Sequence, residues 1–227
     1  MRATCSRRIF LSCRSYKICL PYSLTYFTQL FCSIQRNTTL HETALYNAQT
    51  LLAEGDPHKA ASSLVLLTQE KTLDAVTLFD IATLLMLCDW LPEAQTCAER
   101  CLSLDPAFPH ARWLHAGIMS RRLGEGRHPE LLTAYQIAHE AEPDNAYLCI
   151  EYADVLRTFE DYAQAQTLYA RASEKAEDEA VKVEAEFKQG CVLLTLGKEA
   201  ESKRAFNRVL EIMPDHEEAK LFLGEGC

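Results

Sequence analysis

The amino-acid sequence predicts an all-α chain, built as a solenoid of helix-turn-helix units. Three observations predict it. Segments of one build recur, as LPEAQTCAERCLSLDP (91–106), PELLTAYQIAHEAEP (129–143) and ESKRAFNRVLEIMP (201–214). Each is an apolar-periodic helix closed by a proline, which lacks the N–H to continue a helix and disfavours helical geometry in the residue before it. Between these segments, helix-period runs alternate with short breaks, and nothing shows the two-residue alternation of a strand. Small and aromatic side chains return at fixed offsets, the mark of an internal repeat.

Five units follow in order. The first has Ala44, Asn47, Ala48 and Leu51 on its leading helix, turns at EGD, and continues with Ala60, Leu64 and Leu67. The second runs from about Ala75 to Phe108, with Leu78, Ile81, Ala82 and Leu85, then Ala94, Ala98, Cys101 and Pro106. The third carries Trp113, Ala116, Gly117, Leu123 and Gly124, then Leu131, Tyr135, Ala138 and Pro143. The fourth shows Cys149, Tyr152, Ala153, Leu156, Ala165, Tyr169 and Ala172. The fifth shows Gly190, Leu193, Leu196, Gly197, Phe206, Val209 and Pro214. The run EEAKLFLGEGC then opens a sixth leading helix with a charged face, as a capping element does. Small residues at the eighth and twentieth offsets let two antiparallel helices approach. Larger ones at the twenty-fourth (Leu64, Tyr135, Tyr169, Phe206) fill the space beside them.

These residues resemble the tetratricopeptide repeat, a helix-turn-helix unit of 34 residues with the pattern W-x2-L-G-x2-Y, A-x3-F and P. The resemblance covers residues 40–227, as about five repeats and a partial capping helix, behind a separate leader at 1–39. It implies a right-handed α-solenoid of tetratricopeptide helix-turn-helix repeats, whose first helices line a concave groove. Departures are local. Ser202 and Leu131 stand where alanine is usual, and Glu186 and Gln189 stand at offsets that are normally apolar.

Charge divides the chain. Residues 1–41 hold six Lys and Arg and no acid, so the remainder sets 17 Lys and Arg against 32 Asp and Glu, a net of −15. So acidic a body has no general affinity for nucleic acid. The leader is basic, rich in Ser, Thr, Tyr and Cys, and free of the repeat pattern. Three readings stand for it: a mitochondrial-type presequence within residues 1–38, a weak secretory or membrane segment over the uncharged run Ile18–Gln35, or an unstructured or mis-started extension. A fourth role is a plug folded into the groove through Tyr22, Leu24, Tyr26, Phe27 and Leu30. Any membrane association would run through this leader.

Ten cysteines show no disulfide framework. Cys5, Cys13, Cys19 and Cys32 lie in the leader, while Cys88, Cys97, Cys101, Cys149 and Cys191 sit within apolar helical runs. The expectation is free, buried thiols in the cytoplasm or another reducing compartment. Cys97 and Cys101 share a helix face, but no partner Cys or His motif with zinc spacing accompanies them. No phosphate-cradling glycine motif, nucleophile elbow or His-Glu-x-x-His is present. His110, His115, His128 and His139 are read as helix-surface and turn residues, and EKAEDEA as a solvated face. The expectation is a chain that is not an enzyme, with no catalytic residue, metal or cofactor.

Function then falls to the groove, at offsets two, five, six, nine, twelve and thirteen of each first helix. These positions predict an apolar wall in the first two repeats, with Leu45, Tyr46, Phe79, Met86 and Leu87 as its anchors. They become mixed further on, with His115, Arg121, Arg122, Glu151 and Asp154. Such a surface suits an extended or helical peptide. The resemblance implies an adaptor, scaffold or chaperone for a partner protein, or alternatively a regulatory or substrate-recruiting subunit of an enzyme complex. The carboxylate clamp of heat-shock co-chaperones needs a Lys and Asn pair where Leu45 and Gln49 stand. ALYNAQTLLAEGDPHKA is loosely similar to the opening repeat of bacterial secretion chaperones of this family.

Overall fold

The computed structural model describes residues 40–70 and 72–224. The leader, with its four cysteines and its candidate plug residues, lies outside the described residues. The helices are α1 (Leu40–Ala53), α2 (Pro57–Thr68), α3 (Ala75–Leu87), α4 (Leu91–Leu104), α5 (Ala111–Leu123), α6 (Pro129–Ala141), α7 (Ala146–Thr158), α8 (Tyr162–Lys175), α9 (Glu179–Thr195), α10 (Glu199–Ile212) and α11 (Glu217–Leu223). No strand occurs among the described residues. Each helix packs on its successor, and first helices of neighbouring repeats also touch, α1 on α3, α3 on α5 and α7 on α9. This is the nearest-neighbour stacking of an α-solenoid, in which no repeat buries its apolar face alone.

Local signals set the helix ends. Asp56, Asp74, Asn145 and Asp161 accept the third backbone N–H of the helix that follows, at 3.2, 2.8, 3.2 and 3.1 Å. Each satisfies one donor that has no partner inside the helix. Pro57, Pro92 and Pro129 open second helices in the first turn, where a missing N–H costs nothing. Every within-repeat turn contains one left-handed residue: Gly55 (φ 84°), Asp89 (64°), Gly124 (69°), Glu160 (64°) and Gly197 (71°). Two of the five turns thus use an acidic residue where glycine would be unstrained.

One core runs from α1 into α9, and a smaller one, built on Val183, Phe206, Val209 and Ala219, closes the C-terminal end. Polar side chains reach across from repeat to repeat. Arg100 donates to the carbonyls of Thr68 (2.7 Å) and Glu70 (3.1 Å), and Arg171 donates to Asp144 at 2.9 Å.

The residues that depart from the repeat pattern form a compensated network. Ser202 is buried and donates to the Gly190 carbonyl at 2.9 Å. Glu186, also buried, accepts from Ser173 at 2.6 Å and from Arg208 at 2.7 Å, and Arg208 reaches Gln189 at 3.5 Å. A buried carboxylate is tolerated because two donors replace its water. Leu131 is simply buried where alanine is usual.

The eighth offset separates two glycines that look alike in the sequence. A Cβ on Gly190 would lie 2.6 Å from the Phe206 ring, so there the close approach is real. At Gly117 nothing lies within 4 Å of that position, so helix packing does not require glycine there. Gly117→Ala is therefore expected to stabilise by about 0.5–1 kcal/mol through helix propensity. Gly190→Ala is expected to destabilise, since displacing a packed ring costs about 1–3 kcal/mol and outweighs the same gain. Urea unfolding of the two variants, read for opposite signs, checks this.

Candidate functional site

The candidate groove residues lie on the first helices, and the apolar half differs from expectation. Leu45, Phe79 and Met86 belong to the buried principal core, and Leu87 is half-buried against it. Only Tyr46, 68% exposed, stands out as an open anchor among the five. The cause is the position of α3, which packs on α1, α2, α4 and α5. From Leu78 to Met86 every residue of α3 except Asp80 is buried. The Phe79 ring lies 5.2 Å from Phe108, and Thr83 returns its hydroxyl to the Phe79 carbonyl at 2.9 Å. What the sequence presents as an exposed apolar wall is a buried floor.

The polar half is held by the scaffold itself. Arg121, in the last turn of α5, donates to the Met86 carbonyl at 2.6 Å and to Asp89 at 2.8 Å, tying the third repeat to the end of α3. Arg122 is exposed and donates to Gln95. His115 Nε2 faces Glu99 at 3.5 Å. Glu151 accepts from the Trp113 indole at 2.7 Å and the Tyr135 hydroxyl at 3.1 Å. Asp154 accepts from Tyr169 at 2.5 Å and Lys188 at 2.6 Å, and Lys188 also reaches Glu184 at 2.7 Å. Burial, followed by the charge of Glu151, pushes the Tyr135 hydroxyl well above its usual range. Burial opposes the Lys188 ammonium, but Asp154 and Glu184 outweigh it and hold its pKa above the ordinary lysine value.

Arg121, Glu151 and Asp154 are brought together around one pocket of about 560 Å³, with Ser120, Tyr135 and Thr158 also in its lining. Leu45, Tyr46 and His115 do not line it. By sequence Tyr135 and Tyr169 are space-filling aromatics, and only the structure reveals that they hold the two carboxylates. The available signal is tyrosine rather than phenylalanine at the twenty-fourth offset.

Asp80 is the polar break in the α3 floor. Burial, reinforced by the nearby charge of Asp74, pushes its carboxyl up to about 7 from 3.8. With the folded value above the unfolded one, the protonated form favours folding. That contribution is full below about pH 4 and is lost as pH rises through about 7. Asp80→Asn is expected to be more stable than the parent at pH 7.5 and to match it near pH 4, read from thermal unfolding at the two pH values.

The chemistry of the remaining groups is quiet. Cys88, Cys97, Cys101 and Cys149 are buried free thiols, with pKa values pushed by burial to about 11, 11, 12 and 11. They stay protonated at neutral pH and are poor nucleophiles. Among the described residues no group of three or more His, Cys, Asp or Glu is placed to hold a metal ion. No described helix is long and apolar enough to cross a membrane.

Comparison with known proteins bears on the fold. Residues 184–222 match the family model described as tetratricopeptide repeat. No curated protein matches the chain. Among solved structures, MamA (residue 41 to the end) from Desulfovibrio magneticus RS-1 is 15% identical, covers 78% of this chain and 97% of its own, and gives a TM-score of 0.64. TTC0263, a thermophilic TPR protein of Thermus thermophilus, is 15% identical over 82% of this chain and 98% of its own, with a TM-score of 0.55. YrrB, described as a TPR protein with an unusual peptide-binding site, is 13% identical over 87% and 95%, with a TM-score of 0.59. The eleven helices of the described residues, the repeat pattern and these neighbours agree on the fold: the described body is an α-solenoid similar to those of tetratricopeptide-repeat proteins, and residues 184–222 match that repeat.

Proposed function

We propose that this chain is a non-enzymatic adaptor or assembly scaffold that holds an extended or helical segment of a partner protein along the inner wall formed by its first helices. The observation that carries this reading is the pocket of about 560 Å³ on the first helices, where Arg121, Glu151 and Asp154 come together, polar groups suited to an extended or helical segment. The pocket beside Arg121, Glu151 and Asp154 supplies polar groups that scaffold bonds already fix in place, which limits the ordering cost of binding. The peptide-binding site described for the similar YrrB structure is consistent with this use of the fold.

Native co-purification with mass spectrometry identifies the partner, and calorimetry with that purified partner tests the wall. Tyr46→Ala is expected to weaken binding by about 1 kcal/mol or more, as the one exposed apolar anchor of the five on the first helices. Arg121→Glu with Arg122→Glu is expected to weaken it in a salt-dependent way. Unchanged affinity for both, in variants that keep their helical circular dichroism, would place the binding surface elsewhere.

A further inference from the structure

We infer that residues 124–128 form a glycine-hinged strap at the pocket of Arg121, Glu151 and Asp154, latched by Arg127 on Glu160, and that release of the latch opens the pocket to a partner segment. The turn of the third repeat is unlike the others. Within-repeat turns span three residues at 54–56, 88–90, 159–161 and 196–198, but five at 124–128. The sequence there is Gly-Glu-Gly-Arg-His. Gly124, Glu125 and Gly126 contribute to the pocket lining from this turn, and Thr158 contributes from the last turn of α7. Both glycines hold positive φ, 69° and 145°, where other residues are strained. A Cβ on Gly126 would also stand 3.0 Å from His128 Nε2. The turn therefore has a backbone pivot on each side of Glu125, which is exposed. Pivots of this kind absorb the φ/ψ change of a hinged segment.

An ion pair fastens the strap. Arg127 follows Gly126 and donates to Glu160, which lies just beyond the end of α7. The pair thus joins the turn to the helix end that meets it at the pocket. Glu160 (φ 64°) and Asp89 (φ 64°) are the two acidic residues in the left-handed position of a within-repeat turn. Each accepts from an arginine of the third repeat, Asp89 from Arg121 at 2.8 Å and Glu160 from Arg127. Backbone strain at these two turns therefore coincides with two arginines, one lining the pocket and one adjoining it, from which an unstrained glycine could not accept. The side chains of Arg127 and Glu160 are 56% and 65% exposed. Exposed pairs are weak and screened by salt. Such a pair holds a hinged turn in place yet yields to salt or to a competing carboxylate.

The functional meaning of the strap rests on the pocket being the partner's site, but the strap itself is measured on the full chain with no partner present. Its failure leaves the partner reading standing, and unchanged affinity for Arg121→Glu with Arg122→Glu leaves the strap standing. Carboxyl footprinting with a water-soluble carbodiimide and glycine ethyl ester, read by mass spectrometry, reports access to Glu151 and Asp154 in the pocket, with the fully exposed Asp215 as internal reference. Three variants are compared with the parent. Glu160→Gly keeps the left-handed turn and removes the latch, and Arg127→Gln breaks it from the other side. Arg171→Gln cuts an exposed pair to Asp144, outside the pocket lining. Both latch variants are expected to label Glu151 and Asp154 roughly two- to fivefold faster relative to Asp215, the population change that an exposed pair can cause. Arg171→Gln is expected to match the parent, and all four chains to keep their helical circular dichroism. Trypsin is expected to cut after Arg127 faster in Glu160→Gly than in the parent. Equal labelling in the parent and both latch variants, or an equal rise in Arg171→Gln, would overturn the inference. Cleavage after Arg127 at the parent's rate would count against it as well.

Discussion

Trp113→Ala is expected to cost about 3–5 kcal/mol, the range for emptying a fully buried large aromatic site. Trp113 is 0% exposed in the middle repeat, stacked 6.1 Å from Tyr147 and edge-on to His110 at 6.2 Å. Its indole N–H also donates to Glu151 at 2.7 Å. Alanine therefore removes both packing and one of the donors that hold a half-buried carboxylate on the inner wall. Trp113→Phe keeps most of the ring and loses only the donor, so it is expected to cost less, about 1–3 kcal/mol. Urea unfolding with the two variants side by side checks the order. A loss under about 1 kcal/mol for alanine would mean that Trp113 is not the core residue the repeat register makes it.

Phe206→Ala is expected to cost a similar 3–5 kcal/mol or so at its own site, but with a different reach. Phe206 is the centre of the small C-terminal cluster, 4.9 Å from the parallel Phe222 ring and 5.7 Å from Phe187, with Gly190 cleared of a side chain beneath it. Stability in a stacked array is close to a sum of repeat and neighbour terms. The loss is therefore expected to appear as local opening of α9, α10 and α11, while α3 to α6 keep their protection. Amide hydrogen exchange distinguishes this from the global loss expected at Trp113. Uniform loss of protection along the chain would show that the C-terminal cluster is not a separate cooperative unit.

The repeat register is legible because one rule covers many residues. Ala60, Ala94 and Ala165 at the twentieth offset are all fully buried, as are Tyr169 and Phe206 at the twenty-fourth. The turns are legible where glycine marks a left-handed residue, at Gly55, Gly124 and Gly197. They are silent at Asp89 and Glu160, where a strained acidic residue takes the same conformation. The groove is less legible, because an offset fixes the side of a helix and not what covers it. Phe79 and Met86 read as exposed anchors on that logic and are buried. Arg121 reads as a groove residue open to a partner. Only the three-dimensional contact shows its guanidinium spent on Met86 and Asp89. Gly117 and Gly190 carry the same letter at the same offset, and only the distance to Phe206 separates them.

Whether the inner wall of the first helices, and no other face, receives the partner segment is tested most directly by site-specific photo-cross-linking to the co-purified partner. The reactive side chain is placed one at a time at exposed positions of the full chain. Tyr46, Arg122 and Arg157 lie at groove-facing offsets, whereas Leu66 and Ile137 are exposed on second helices. Cross-links are expected from the first three positions and none from the last two. Cross-links from Leu66 and Ile137, with none from Tyr46, Arg122 and Arg157, would contradict an inner-wall site.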